Sequence, residues 1–473
     1  MMYEAVIGLE VHVHLNTKTK AFCGCSTEFG AEPNSQTCPV CLGFPGSLPV
    51  LNKVALEYAI KVALALDCSV QEYTKFDRKN YFYPDLPKNY QISQYDLPVS
   101  LDGFLDMESH DGVKRVRIRR VHLEEDAGKL IHQDRESLVD FNRAGVPLLE
   151  IVSEPDISSP QEAHEYLTAL KSIIEYLEVS DCDMEKGSLR CDANISVREK
   201  GVKGLGVKTE LKNMNSFKAV KEALGFEIER QTELLDKGGV IVQETRLWDV
   251  KSLETLSMRT KEEAKDYRYF PEPDLPPFII TKEKIEEIRK SIPELPKEKK
   301  QRFMQWISAS SASTLVSSKI DAELSERLLQ NYSNKKLVAD WLINVASSTA
   351  NSLKCSITQL EVKEEYYIEI FRYLDKESIS NLTAKAVWDE VVKTKRPPSE
   401  IIKEKNLIQI SDESVLKEDI EKVIKENPKS VEAFKAGKEN AVMFLIGQVM
   451  KKTHGKANPK VIQDILRRRL KDA

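Results

Sequence analysis

The sequence predicts an α+β protein: a mainly antiparallel sheet domain with helices at the N-terminus, an all-α middle domain, and a small all-α tail domain. Three observations predict it. Before residue 271, stretches that alternate apolar and polar residues recur through mostly non-helical connections, with a few amphipathic helices between them. Two proline-rich segments, PEPDLPP (271–277) and IPELPKEKK (292–300), then interrupt the chain. Beyond them the composition shifts to Lys, Glu, Ile, Leu and Ser at helical spacing with few aromatics. The divisions fall at 1–294, 295–405 and 406–473. A chain of 473 residues with 41% apolar content is long enough for several cores.

The first strand runs from Ala5 to Leu15. Ala5, Ile7, Leu9, Val11, Val13 and Leu15 share one face, and Glu10, His12 and His14 share the other. Such a strand can simply be half buried, but a carboxylate and two imidazoles on one patch can also hold a cation. Next come Cys23-x-Cys25, twelve residues, and Cys38-x-x-Cys41. Paired thiolates on turns suit a closed, structural tetrahedral zinc site; the alternative is a pair of buried thiols whose metal site has decayed. Asn52 caps a helix whose apolar side is read as Val54, Leu56, Ala59, Ile60 and Ala63.

Residues 76–96 combine six aromatics with Asp77, Arg78, Lys79, Asp85 and Lys88 around Pro84 and Pro87, which rule out regular helix. The segment reads as a loop, either lining a site for a planar or phosphorylated ligand or plugging a sheet. Strands follow at about 97–107 and 113–125. In the second, the apolar parity switches from Val116 and Ile118 to Val121 and Leu123, which predicts a bulge near Arg119 and Arg120. The acids Glu124, Glu125 and Asp126 that follow, with Lys129, read by themselves as a solvated turn.

In DFNRAGVPLLEIVSEPD (140–156), Leu148, Glu150, Val152 and Glu154 share a strand face, and Arg143 precedes a Gly-x-Pro turn. A fourth strand points Arg190, Asp192, Asn194 and Arg198 away from the core, and a fifth offers Lys208, Glu210 and Lys212. A helix starts at Ser158 or Ser159, and another at Asn215 or Ser216. Carboxylates recurring on strand faces among Lys and Arg are what a Mg²⁺-nucleotide site requires. GVKGLGVKT (201–209) is not a phosphate loop, because Val207 follows the second Gly where that loop needs Lys.

The net charge of −5 excludes a general affinity for nucleic acid, so any such contact is local. Residues 449–473 nevertheless hold eight Lys or Arg against two Asp, around a THGKANP turn at 453–459. This end is read either as a solvated face or as a phosphate-backbone contact. With 31% charged residues and a mean hydropathy of −0.40, no run reaches the roughly 18 apolar residues that span a bilayer. No basic and apolar leader is visible, and the bunched cysteines fit a reducing compartment, so a cytoplasmic location is expected.

The motifs GLEVHVHLNTKTKAFCGC, CPVCLGFPGSLPVLN, FDRKNYFYPDLPKNYQISQYD, VHLEEDAGK, DFNRAGVPLLEIVSEPD, LRCDANISVR, ELKNMNSFK, ETRLWD and DYRYFPEPDL occur in that order. Together they resemble the B-subunit family of the tRNA-dependent aspartyl/glutamyl amidotransferases, and the C-terminal GKANPK resembles a YqeY-type tail. The resemblance implies a catalytic fold like that of glutamine synthetase. It also implies an ATP-dependent phosphorylation of the side-chain carboxylate on misacylated Glu-tRNA(Gln) or Asp-tRNA(Asn), followed by attack of ammonia. That ammonia comes from a partner amidase, the A subunit, in a heterotrimer completed by a small C subunit. Matched by position, Glu10, His12, Glu125 and Glu150 are the implied Mg²⁺-binding and catalytic residues, with Asp192 and Glu210 in neighbouring motifs. Lys79, Lys129 and Arg143 are the candidates for neutralising phosphate, and Cys23, Cys25, Cys38 and Cys41 match a zinc knuckle. His14 is given no ligand role. The competing reading is a non-catalytic RNA-binding scaffold, which would need none of these acids.

Overall fold

The computed structural model describes residues 3–109, 112–133, 135–260, 267–409, 413–435, 438–453 and 457–472. It forms two compact units, Met1–Pro296 and Lys297–Ala473.

In the first unit the elements are β1 (Tyr3–His14), α1 (Lys53–Ala65), β2 (Ser69–Val70), β3 (Tyr73–Thr74), β4 (Asp77–Asn80), β5 (Tyr90–Ser93) and β6 (Ser100–Ser109). They continue with β7 (Gly112–Glu125), β8 (Lys129–His132), β9 (Ser137–Asp140), β10 (Pro147–Ser153), α2 (Pro160–Tyr176), β11 (Leu189–Glu199), β12 (Thr209–Met214) and α3 (Phe217–Asp236). The unit closes with β13 (Glu244–Asp249), β14 (Glu254–Thr260), β15 (Phe270–Pro271), β16 (Phe278–Ile279) and α4 (Lys282–Lys290).

A nine-stranded sheet in the order β14-β13-β12-β11-β1-β10-β7-β6-β2 organises this unit. The alternating first segment lies in its middle, antiparallel to β10 and to β11. Its six apolar residues, Ala5 through Leu15, are all buried. Each fully covered Val, Leu or Ile contributes roughly 1.5–3 kcal/mol before chain entropy is set against it. Apolar residues of α1, α2 and α3 join them in one core, so the helices cover that face and leave the face of Glu10 and His12 free of them.

The bulge is present. Val152 pairs with Arg120 and Ser153 with Ile118, so Arg119 is the extra residue, and Val116, Ile118, Val121 and Leu123 all stay buried. One neighbour pair departs from the antiparallel pattern: β12 and β13 run parallel. Parallel strands need a crossover, which α3 supplies, capped by Ser216 Oγ accepting from Ala219 N.

Two local readings are corrected. Residues 76–96 are not a loop throughout, since β4 and β5 pair with each other and β4 with β15, about 190 residues later. Partners so distant leave no periodic trace in a short segment. In α1, Asn52 does accept from Val54 N and Ala55 N, but the covered residues are Ala55, Ala59, Ile60, Val62, Ala63 and Leu64, while Val54 is exposed. The covered side lies opposite the charged stripe of Lys53, Glu57 and Lys61, which leaves Val54 on the exposed side.

The second unit is helical, with one cluster running from Phe303 to Ile402 around Trp341, Tyr367, Phe371 and Trp388. A separate cluster packs the helices Glu413–Glu426, Asn440–Lys452 and Pro459–Asp472 through Leu416, Leu445, Val449 and Leu466. Of the basic turn expected at 453–459, residues 454–456 lie outside the described residues, as does the side chain of Lys471. Nearby, Arg467 pairs with Glu439 at 3.5 Å and Lys460 pairs with Glu377.

Candidate functional site

The helix-free face of the sheet carries the charged residues. Strand pairing sets His12 opposite Glu150, Glu150 opposite His122, and Glu10 opposite Asp192. Paired side chains on one face of a sheet stand close together, so three central strands converge their polar groups. His12 Nε2 and His122 Nε2 each lie 3.4 Å from Glu150 Oε2, and His122 Nε2 lies 3.6 Å from Glu124 Oε2. A nitrogen of His12 and an oxygen each of Glu124 and Glu150 fall within 4.8 Å of one another, close enough to share a cation.

The electrostatics follow from burial and crowding. Burial opposes charge on Glu150, but His122 and His12 hold its carboxyl well below the ordinary range. Burial likewise opposes the charged form of Glu124, and His122 with Lys79 outweighs it. His122, opposed by burial but flanked by Glu150 and Glu124, is raised to about 9. Glu10 behaves differently: burial first, then Glu150, Glu210 and Asp192, push its carboxyl up. At Glu10 the neighbouring acids add to burial, a condition that a bound cation would relieve.

The expected residues separate into those this face gathers and those it does not. Glu10 lies beside the group, where Asn194 Nδ2 donates to it at 2.8 Å. Asp192 and Glu210 are adjacent and share Lys212, with Glu210 also accepting from Thr245 Oγ1 at 2.8 Å. Lys79, on β4, sits 5.1 Å from the centre of the Tyr267 ring, and the charges of Glu124 and Glu150 favour its protonated form. Tyr81, Tyr267, Tyr269 and Tyr95 form an aromatic wall there, with Tyr95 and Tyr269 stacked at 4.3 Å.

Three expected residues are not brought to this group. Glu125 points to the other face, where Lys88 Nζ and Ile92 N donate to Oε1. There it borders a cavity of about 200 Å³ together with Lys20, Cys41 and Gly145. The group takes Glu124 in its place, held by Ser93 Oγ at 2.9 Å. Lys129 lies exposed on the separate β8–β9 ribbon, because its strand leaves the sheet. Arg143 spends its fork on backbone, Nε on Ala127 O at 3.0 Å and Nη2 on Gly128 O at 2.6 Å.

Sequence reasoning set Glu124 and Asp126 aside as a solvated turn and did not single out His122. The parity after the bulge was the available signal for Glu124 and His122: with Val121 and Leu123 facing the core, His122 and Glu124 must face the other way. Asp126 is buried and takes His14 Nε2 at 2.5 Å and Arg190 Nη2 at 2.9 Å.

The four early cysteines also come together, their sulfurs within 4.8 Å of one another. A hydrogen bond from Cys23, with the backbone near Cys38 and the Lys20 ammonium, pulls the Cys41 thiol down to about 4 against burial, and Cys25 is pushed up to about 11, first by burial. Four convergent sulfurs, one of them 3.7 Å from the buried Lys20 ammonium, suit a soft divalent metal.

Among the described residues, no helix is long and apolar enough to cross a membrane. Two family patterns match the chain: the GatB/GatE catalytic domain over residues 5–286 and the GatB domain over 323–470. The B subunit of the aspartyl/glutamyl-tRNA(Asn/Gln) amidotransferase from Carboxydothermus hydrogenoformans is 56% identical over 475 residues, covering 99% of each chain. Proteins of the same name from Persephonella marina and Thermodesulfovibrio yellowstonii are 54% and 51% identical over 100% of each chain. With the first pattern lying within its sheet unit and both patterns in one continuous match to such relatives, this chain belongs to the GatB family of amidotransferase B subunits.

Proposed function

We propose that this chain is the activating subunit of a tRNA-dependent amidotransferase. It uses ATP to phosphorylate the side-chain carboxylate of glutamate on tRNA(Gln), of aspartate on tRNA(Asn), or of both, and ammonia from a partner glutaminase then displaces the phosphate. The observation that carries this reading is the group of half-buried His12 with buried Glu124 and Glu150, with Glu10 beside it and Lys79 at its edge. A non-catalytic scaffold gains nothing from such a group, since burying carboxylates is costly.

The donors fit Mg²⁺: two carboxylates and an imidazole with further acids adjacent form a hard set, and the raised Glu10 marks negative charge that is not balanced. Glu124, Glu150 and His12 would hold the ion, with Glu10 as a further oxygen donor. When bound, Mg²⁺ neutralises phosphate charge during phosphoryl transfer. His122, at contact distance from both acids, orients Glu124 and Glu150. Lys79 offers a fixed positive charge to the transferring oxygens, and the tyrosine wall around it keeps water away. Lys212 fixes Asp192 and Glu210 as the outer acidic rim.

Cys23, Cys25, Cys38 and Cys41 would hold structural zinc. The sheet of the first unit is read as a glutamine synthetase-like catalytic fold spanning 1–294, followed by a helical domain at 295–405. The tail at 406–473 is read as a tRNA contact, and the A and C subunits as partners in the cytoplasm. The test is to assemble the chain with candidate A and C subunits and assay amidation of both misacylated tRNAs. Amidation of either only with ATP supports the reading, and tRNA binding without ATP cleavage or amidation would refute it.

A further inference from the structure

We propose that Arg190 is a substrate-binding residue that seats an oxyanion of the reacting pair, either the side-chain carboxylate carried by the tRNA or a phosphate oxygen of ATP. This rests on the function proposed above. It starts from an imbalance around Asp126. That carboxylate, buried on the loop after β7, meets His14 Nε2 at 2.5 Å, Arg190 Nη2 at 2.9 Å and Arg143 Nε at 3.4 Å. Two guanidiniums therefore face this one buried acid.

The two arginines are used differently. Arg143 has both arms of its fork on the carbonyls of Ala127 and Gly128, which fixes the turn. Arg190 makes one hydrogen bond, to Asp126, and its Nε is buried with no hydrogen-bond partner among the described residues. Its side chain is still 37% exposed. A guanidinium has five donors in a rigid planar fork that matches carboxylate and phosphate oxygens in pairs. An arginine needed only as a counter-charge for Asp126 would turn its paired arms onto that acid, as Arg78 does with Glu272 at 2.8 Å through both Nε and Nη2.

Its position fits the role. Arg190 pairs in register with His12 across β1 and β11, on the same face as the cation group, and after Asp126 it is Glu124 and Asp192 whose charges favour its protonated form. Asp126 anchors one arm, so the plane of the fork is set before substrate arrives. Substrate oxyanions held here have acids and their cation on one side and a preorganised guanidinium on the other. Asp126 is thus a positioning residue and Arg190 the contact.

The experiment uses the assembled amidotransferase with four variants of this chain: Arg190→Gln, Arg190→Lys, Asp126→Asn and the double Arg190→Gln/Asp126→Asn. Arg190→Gln should raise one KM about tenfold to a hundredfold, the loss expected for a charge-assisted pair. A raised KM for misacylated tRNA identifies the carboxylate as the ligand, and a raised KM for ATP identifies the phosphate. Arg190→Lys should recover only part, because charge returns without the fork. The double variant separates binding from mere neutralisation: it should regain the thermal stability lost in either single variant while the KM stays high. The seat is overturned if Arg190→Gln leaves both KM values within twofold of the parent, or if adding Asp126→Asn to it restores the normal KM. Absence of misacylated-tRNA-dependent ATP cleavage in the parent assembly would instead overturn the function on which the seat depends.

Discussion

Glu124 and Glu125, adjacent on β7, place their carboxylates on opposite faces of the sheet, the first against His122 and Ser93 and the second against Lys88. The two therefore answer differently to the same chemical change. Glu124→Gln should lower the rate of ATP cleavage about a hundredfold or more while leaving the melting temperature nearly unchanged, since it removes charge from the cation group. Glu125→Gln leaves a largely buried lysine without its carboxylate, so its main effect should be a stability loss of about 3 kcal/mol. Urea unfolding beside single-turnover ATP cleavage separates the two, and identical profiles for both variants would contradict the assignment.

Metal content checks the cysteine cluster. The purified chain should carry close to one equivalent of zinc, and Cys41→Ser should lose most of it with a melting midpoint several degrees lower. Elemental analysis finding no zinc in the parent protein would dismiss a structural role for the metal.

The imidazole between the two acids sets a pH dependence. His122 is raised to about 9 in the folded chain, above its ordinary 6.5, because Glu150 and Glu124 outweigh burial. A group whose pKa rises on folding stabilises most below its unfolded value and loses that contribution as pH climbs through the folded one. The metal-free protein should therefore lose stability between about pH 6.5 and 9, and His122→Gln should flatten that slope. Thermal melts across this range in chelator provide the measurement, and an unaltered slope in the variant would exclude His122 as its source.

Glu227 offers a purely structural test. Wholly buried on α3, it accepts from both arms of Arg230, from Gln231 and from Thr255 on β14, with Arg246 at 3.7 Å. Glu227→Ala should destabilise the chain by about 3 kcal/mol, because Arg230 loses both hydrogen bonds of its fork and Gln231 and Thr255 lose their buried acceptor, with Glu244 left as the counter-charge of both arginines. A loss below about 1 kcal/mol in chemical unfolding would mean that the network is dispensable.

How much was legible in the sequence depended on the range of the interaction. The core side of β1, the bulge at Arg119 and the cap at Ser216 are properties of a dozen residues or fewer, and periodicity and side-chain chemistry reveal them. The pairing of β4 with β15, the parallel step from β12 to β13, and the meeting of Asp126 with Arg190 join residues 35 to almost 200 positions apart. No local pattern records these. The choice between Glu124 and Glu125 was legible in principle, since the parity at Val121 and Leu123 decides it, but motif matching alone does not distinguish neighbours. Lys129 and Arg143 carry the right charge, yet only tertiary contacts reveal that one leaves the sheet and the other holds a turn.

The central position of β1 also governs how the molecule can be made. Its two neighbours are β10 and β11, which begin at Pro147 and Leu189, so a ribosome must add more than 170 residues before both edges of the first strand can be satisfied. At roughly 5–20 residues per second this is a wait of about 10 to 40 seconds with a bare, apolar ribbon protruding from the tunnel. Nascent chains stalled before residue 189 should accordingly bind holding chaperones and aggregate when released, whereas chains stalled well beyond Glu199 should resist proteolysis.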